Sequence, residues 1–192
     1  MARSKEFDEH DVLLKAMRLF WEQGYEKTSL QDLVTHMGIH RRSLYDTFGD
    51  KHSLFVKAME QYKKTVATVK AEARRGRTAQ EAIRYIIDYL IEANDERPLG
   101  CLIVNSATEL ALRDPEVGEI TNQSFNVEEQ YLTDIIRTGQ QTGEIPADKD
   151  ASLLAASLQA TIIGLRVLTR ASTDKKKLHR IADAAIAMLD AP

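Results

Sequence analysis

The stretch from Thr28 to Lys51, TSLQDLVTHMGIHRRSLYDTFGDK, constrains the fold more than any other part of the chain. Two short segments with helical apolar spacing flank Gly38, and the second opens with His40, Arg41 and Arg42. Short helices joined by a tight glycine turn make a helix-turn-helix, a module that sets its second helix in the DNA major groove. Upstream, Val12, Leu13, Ala16, Met17 and Phe20 recur at helical spacing. That pattern predicts a helix from about Asp8 to Gln23, stopped by Gly24. Thr28 and Gln31 predict a capping box for the next helix, whose core face is Leu30, Leu33, Val34 and Met37. A third helix is expected over about His40 to Phe48, with Leu44 and Phe48 turned inward. Asp50 then caps a fourth helix starting at Lys51.

The outward positions of the third helix are His40, Arg41, Arg42, Ser43, Tyr45 and Thr47. The planar fork of arginine matches guanine O6 and N7 together, a contact worth roughly 1–3 kcal/mol of discrimination. Ser43, Tyr45, Thr28 and Lys51 are of types that bond phosphate oxygens, which set register without reading sequence. Each residue alone fits an ordinary solvated surface. Their coincidence with the turn, the caps and the apolar spacing points to DNA.

These residues also carry a resemblance. From Val12 to Leu54 the chain resembles the DNA-binding domain of TetR-type (tetracycline-repressor-like) transcriptional regulators, through LLKAMRLFWEQGYEKTS, the turn Gly38 and LYDTFGDKHSLF. His40 stands where a Ser or Thr cap is usual in that family, and Asp46 where an aromatic is common. The resemblance implies an all-α fold of about nine helices. Residues 1–50 would form the helix-turn-helix DNA-binding domain and residues 51–192 the ligand-binding and dimerisation domain. It further implies a homodimer built through the last two long helices, a near-palindromic double-stranded operator, and a small-molecule effector that releases a repressor from it.

Charge fits that picture once it is divided. The chain's net charge is −3, yet His40 to Arg77 holds ten Lys or Arg against four Asp or Glu, and Thr78 onward holds eleven against eighteen. Screening confines such charges to about 8–10 Å at physiological salt, so the local sign decides what a groove feels. A single cysteine excludes an internal disulfide framework and fits a reducing cytoplasm. No run approaches the roughly 18 uninterrupted apolar residues that span a bilayer. The charged start MARSKEFDEHD is unlike a secretory signal.

The remainder reads as helices. The fourth is expected to run from Lys51 to about Arg75 with Phe55, Met59, Tyr62, Val66 and Val69 as its stripe. Breaks at Gly76, Arg97 to Gly100, Arg113 to Pro115, Gly143 to Pro146 and Ser172 to Asp174 leave helices near Thr78–Asn94, Cys101–Leu112, Pro115–Thr142, Lys149–Ala171 and Asp174–Leu189. The last two are apolar on most sides. Such helices are buried either in a deep intramolecular core or against a symmetry copy as a four-helix bundle.

Within the body, polar or aromatic residues on otherwise apolar helices are the candidate effector contacts: Tyr62, Tyr85, Tyr89, Asn105, Glu109, Phe125 and Gln159. The middle helices carry few cations, which argues against a strongly anionic effector. Cys101 follows Gly100 at a helix start, where thiolate is favoured, so redox or electrophile sensing stands beside the plainer reading of a small buried residue. No HExxH, CxxC, GxSxG or phosphate-binding glycine loop occurs, and the five histidines lack metal-ligand spacing. Neither catalysis nor a metal or other cofactor is expected. The rival is a helical homodimeric module that binds a small molecule or protein but not DNA.

Overall fold

The computed structural model describes residues 7–92, 98–172 and 174–190. Among them are nine α-helices and no strand. They are α1 (Glu9–Gln23), α2 (Leu30–Met37), α3 (Arg41–Phe48), α4 (Lys51–Ala73), α5 (Ala79–Ile91), α6 (Leu102–Leu110), α7 (Pro115–Thr142), α8 (Ala151–Ala171) and α9 (Lys175–Ile186). A 3-10 turn, Ala187–Leu189, follows. The expected helix end at Asn94, the break residue Arg97, Thr173 and residues 1–6 lie outside the described residues.

Local chemistry sets these boundaries. Asp8 caps α1 by accepting from the backbone N–H of His10 at 2.7 Å, and Gly38 closes α2 in the left-handed region at φ 71°. The cap of α2 differs from expectation by one residue. Ser29, not Thr28, is the N-cap, and its partner in the capping box is Asp32 rather than Gln31. The reason is burial: Thr28 is fully enclosed and its hydroxyl donates to the Gly24 carbonyl at 2.6 Å. Asp114 caps α7 with Pro115 in the first turn, where a missing N–H costs nothing. Cys101 is the extended N-cap of α6 and not part of the helix.

Two apolar cores result. The first collects Phe20, Leu33, Met37, Leu44, Phe48 and Phe55 from α1–α4, and it also takes in Cys101–Val104, Leu110 and Val117 from α6 and α7. The ring of Phe20 meets Phe55 edge-on at 5.0 Å, and Trp21 meets Tyr62 at 4.8 Å. This core therefore crosses residue 50, with the first half of α4 packed along α1. The second core joins α5, α7, α8 and α9 through Ile83, Ile87, Leu132, Ile136, Leu158, Leu165 and Leu178.

Among the described residues α8 is the one helix long and apolar enough to cross a membrane, at 21 residues and mean hydropathy 1.6. Its inner face instead packs against α7 and α9. Its outer face carries Leu153, 67% exposed, and Val167, 50% exposed.

Glu144 ties α7 to α5 by accepting from the backbone N–H of Ala79 at 2.7 Å and of Gln80 at 2.9 Å. Burial pushes its pKa up, but bonds from Gln80, Thr78 and Ala79 outweigh that and hold it below the usual glutamate value. Glu144→Ala strips two helix-start N–H groups of their partner and is expected to cost about 1–3 kcal/mol. A depressed folded pKa means that this stabilisation is full above the unfolded glutamate pKa and is lost as pH falls through the folded one. Urea denaturation checks this: the gap between wild type and variant is wide at pH 7 and narrows as pH drops below about 4.

Candidate nucleic-acid interface

Helix α3 is eight residues long and is held from beneath by Leu44 and Phe48, both buried. With that edge fixed, His40, Arg41, Arg42 and Tyr45 are exposed, and Ser43 and Thr47 partly so. His40 is the N-cap but makes no side-chain capping bond, so its imidazole is left to the outside. The Arg41 guanidinium lies 5.9 Å from the Tyr45 ring centre. Arg42 approaches Asp46 at 3.6 Å, a pair too exposed to hold either side chain firmly. Lys51, at the start of α4, stands 4.2 Å over the Tyr25 ring. The buried Thr28 leaves the expected set, because no part of its side chain reaches the surface.

Several polar contacts fasten the helix-turn-helix to the body, and two involve side-chain carboxylates. The Glu109 carboxylate, at the far end of α6, accepts from the backbone N–H of Tyr25 at 3.0 Å and of Glu26 at 2.8 Å. Gly24 makes this approach feasible: its φ is 88°, and a Cβ there would stand 2.9 Å from Glu109 Oε2. The other carboxylate is Asp114, the cap of α7, whose Oδ2 lies 2.7 Å from His52 Nε2. Burial raises the Asp114 pKa, but bonds from the Val117 N–H and His52 outweigh it, and the carboxyl sits below its usual range.

Behind this reader lies a cavity of about 400 Å³ between α4, the start of α6, α7 and α8. Tyr62, Val66, Ile103, Phe125 and Val127 give it apolar walls, and Gln123 and Ser124 add polar edges. Lys70 pairs with Glu128 at 2.6 Å, both largely buried. Arg166 donates from Nη1 to Cys101 Sγ at 3.4 Å. Burial opposes the Arg166 charge, while Cys101, Tyr62 and Glu128 more than offset it, so its pKa lies above the usual arginine value. Of the expected contacts, Tyr62 and Phe125 line this cavity, and Tyr89 lines a smaller recess beside it.

The other four have different duties. Glu109 grips the reader, and Asn105 reaches the Trp21 carbonyl at 3.4 Å. Gln159 donates to the Phe125 carbonyl at 2.8 Å, and Tyr85 lies under Arg77 at 4.2 Å. Cys101 is 1% exposed, a small buried side chain at the head of α6.

Residues 12–58 match the family model for bacterial regulatory proteins of the tetR family, and residues 79–185 match the tetracyclin repressor-like C-terminal domain. The uncharacterized HTH-type transcriptional regulator YezE of Bacillus subtilis (strain 168) is 38% identical over 99% of this chain and 100% of its own. The chain belongs to the tetR family. Another relative, the HTH-type transcriptional repressor ComR of Escherichia coli (strain K12), is 32% identical over 96% of this chain and 90% of its own. Among solved structures, a cysteine-substituted TetR family regulator CifR, complexed with 26 bp double-strand operator DNA, superposes with a TM-score of 0.89. It shares 26% identity over 98% of this chain and 100% of that one. As a member of this family the protein is a transcriptional regulator and not an enzyme.

For a tetR-family chain, the reader was legible in sequence and the cavity was not. Arg166, Lys70 and Glu128 meet from α8, α4 and α7, and nothing in their local sequence marks them as neighbours. Glu109 offered one signal, an acid at the end of a short apolar helix, but its partners lie more than 80 residues away. Glu109→Ala is expected to cost about 1–3 kcal/mol through the two N–H groups it leaves unpaired. Hydrogen exchange at the Tyr25 and Glu26 amides should quicken at least tenfold, with the far-ultraviolet helical signal unchanged.

Proposed function

We propose that this protein is a sequence-specific DNA-binding repressor that acts as a homodimer and leaves a near-palindromic operator when a small molecule fills the body cavity. The observation that carries this reading is α3: its inner edge is locked by Leu44 and Phe48, so His40, Arg41, Arg42 and Tyr45 project together from a rigid support. Arg41 and Arg42 are assigned to base edges, and Ser43, Tyr45, Thr47 and Lys51 to phosphate and register. His40 is assigned to the same groove, as a base or phosphate contact. Operator complexes of CifR favour this reading over a helical module without DNA binding. Steric exclusion of polymerase is the mode of repression, and the cytoplasm is the compartment in which a bacterial chain reaches DNA.

The dimer is assigned to α8 and α9. Leu153, Ser157, Ala160, Gly164, Val167 and Ala171 fall on one side of α8, separated by three or four residues. A Cβ added at Gly164 meets nothing within 4 Å, so another helix has room to approach closely there. Met188, just past α9, is also exposed. Pairing these faces as a four-helix bundle covers apolar surface that one chain leaves in water, and it delivers two copies of α3 to the same side of a duplex. Effector and operator binding then oppose each other by about 1–3 kcal/mol, a usual coupling.

Arg41→Ala and Arg42→Ala are expected to flatten base preference, whereas Lys51→Ala weakens binding to every sequence and lowers the salt slope by about one unit. Gel shifts on specific and scrambled duplexes separate the two outcomes. Equal losses on both duplexes for all three variants would refute the role assignments. Gly164→Arg is expected to fold but to elute as a single chain in light-scattering chromatography, with loss of high-affinity operator binding. A dimer that survives this substitution moves the interface elsewhere.

A further inference from the structure

The cavity is not simply apolar. Six charged side chains line it, and three of them come from different helices: Lys70 and Glu128, paired at 2.6 Å, and Arg166. Arg166 makes one hydrogen bond, to the Cys101 sulfur, and no ion pair with a carboxylate among the described residues. A thiol sulfur is a weak acceptor, and a guanidinium carries five N–H donors and never loses its charge in a protein. Glu128 already favours the Arg166 charge, but that carboxylate is shared with Lys70, so the guanidinium keeps donors that an incoming negative group can use. One buried acceptor in the cluster is unsatisfied. Glu128 is 6% exposed, and its Oε1 has no hydrogen-bond partner while Oε2 holds Lys70.

We infer that the cavity binds a small organic monoanion, a carboxylate on an apolar body, with its charged head on Arg166 and a hydroxyl or N–H donor toward Glu128 Oε1. Tyr62, Val66, Ile103, Phe125 and Val127 take the apolar body. The volume of about 400 Å³ suits a ligand of modest size. Lys63 and Lys64, also in the lining, add positive charge that draws an anion inward. Glu60 and Glu128 oppose that field, but Lys63 is paired with Glu60 at 2.9 Å and Lys70 with Glu128, so Lys64 and Arg166 carry the positive surplus. The expectation against an anionic effector thus changes sign: it counted cations on the middle helices, and the decisive ones come from α4 and α8.

This ligand class rests on the reading of the cavity as the effector site, and the test separates the two. Octanoate, decanoate, phenylacetate and 2-naphthoate, each beside its primary amide, are titrated into the purified protein by calorimetry. Operator affinity is measured in parallel. At least one acid should bind roughly tenfold or more tightly than its amide, since a charge-assisted bond replaces a neutral one. Arg166→Gln should erase that preference, and Arg166→Lys, which keeps the charge, should retain part of it. The inference is overturned if no acid outbinds its amide, or if the preference survives in Arg166→Gln. It is also overturned if Cys101→Ala strengthens acid binding tenfold, because the sulfur would then already supply the negative charge. An acid that binds through Arg166 without weakening operator affinity upholds the anion site and sinks the effector reading. An amide that releases DNA does the reverse.

Discussion

An eight-residue helix does not hold itself together in water, where isolated helices shorter than roughly 12–15 residues are marginal. Everything α3 does therefore depends on Leu44 and Phe48 being seated in a core that other helices complete. That core contains Phe20 and Trp21 from α1 and Phe55 and Met59 from α4, and truncating one buried aromatic of this kind costs about 3–5 kcal/mol. A rigid support matters more than the identity of any one exposed donor. Base readout needs several side chains at fixed spacing, and ordering them on contact would consume much of the binding free energy.

The same core explains how a body could speak to a reader. Cys101–Val104 and Leu110 of α6, and Val117 of α7, belong to the apolar cluster that seats α3. Helix α6 is short, begins beside Arg166 at the cavity and ends with Glu109 bonded to the turn after α1. A displacement at one end of such a packed rod is felt at the other, because interiors are dense and yield little. The bond between His52 and Asp114 adds a further attachment next to Lys51, so the start of α4 is held from the body as well. The two halves share contacts that either can bias, which is the physical requirement for coupling.

How much of this was legible in the sequence follows from the range of each interaction. The helix-turn-helix was legible because its signals are local: Gly38, Asp50 and the spacing of Leu33, Val34, Met37, Leu44 and Phe48 fall within two turns of what they control. The shift from Thr28 to Ser29 shows where local reading stops. Both hydroxyls satisfy the capping pattern, and only the burial of Thr28 under the Gly24 carbonyl decides between them. Glu109 and Arg166 lie beyond reach for the same reason on a larger scale. Their partners are Tyr25, Glu26 and Cys101, brought near by the packing of α1, α6 and α8 rather than by proximity along the chain.

The central claim is that two copies of α3, set by a symmetric body, read one duplex. Selection of bound sequences from a random duplex pool tests it most directly. The account predicts enrichment of a two-fold symmetric site whose half-sites are centred about one helical turn, roughly 10–10.5 bp, or a whole multiple of it apart. Enrichment of an isolated half-site, or no enrichment over random polymer, would contradict it.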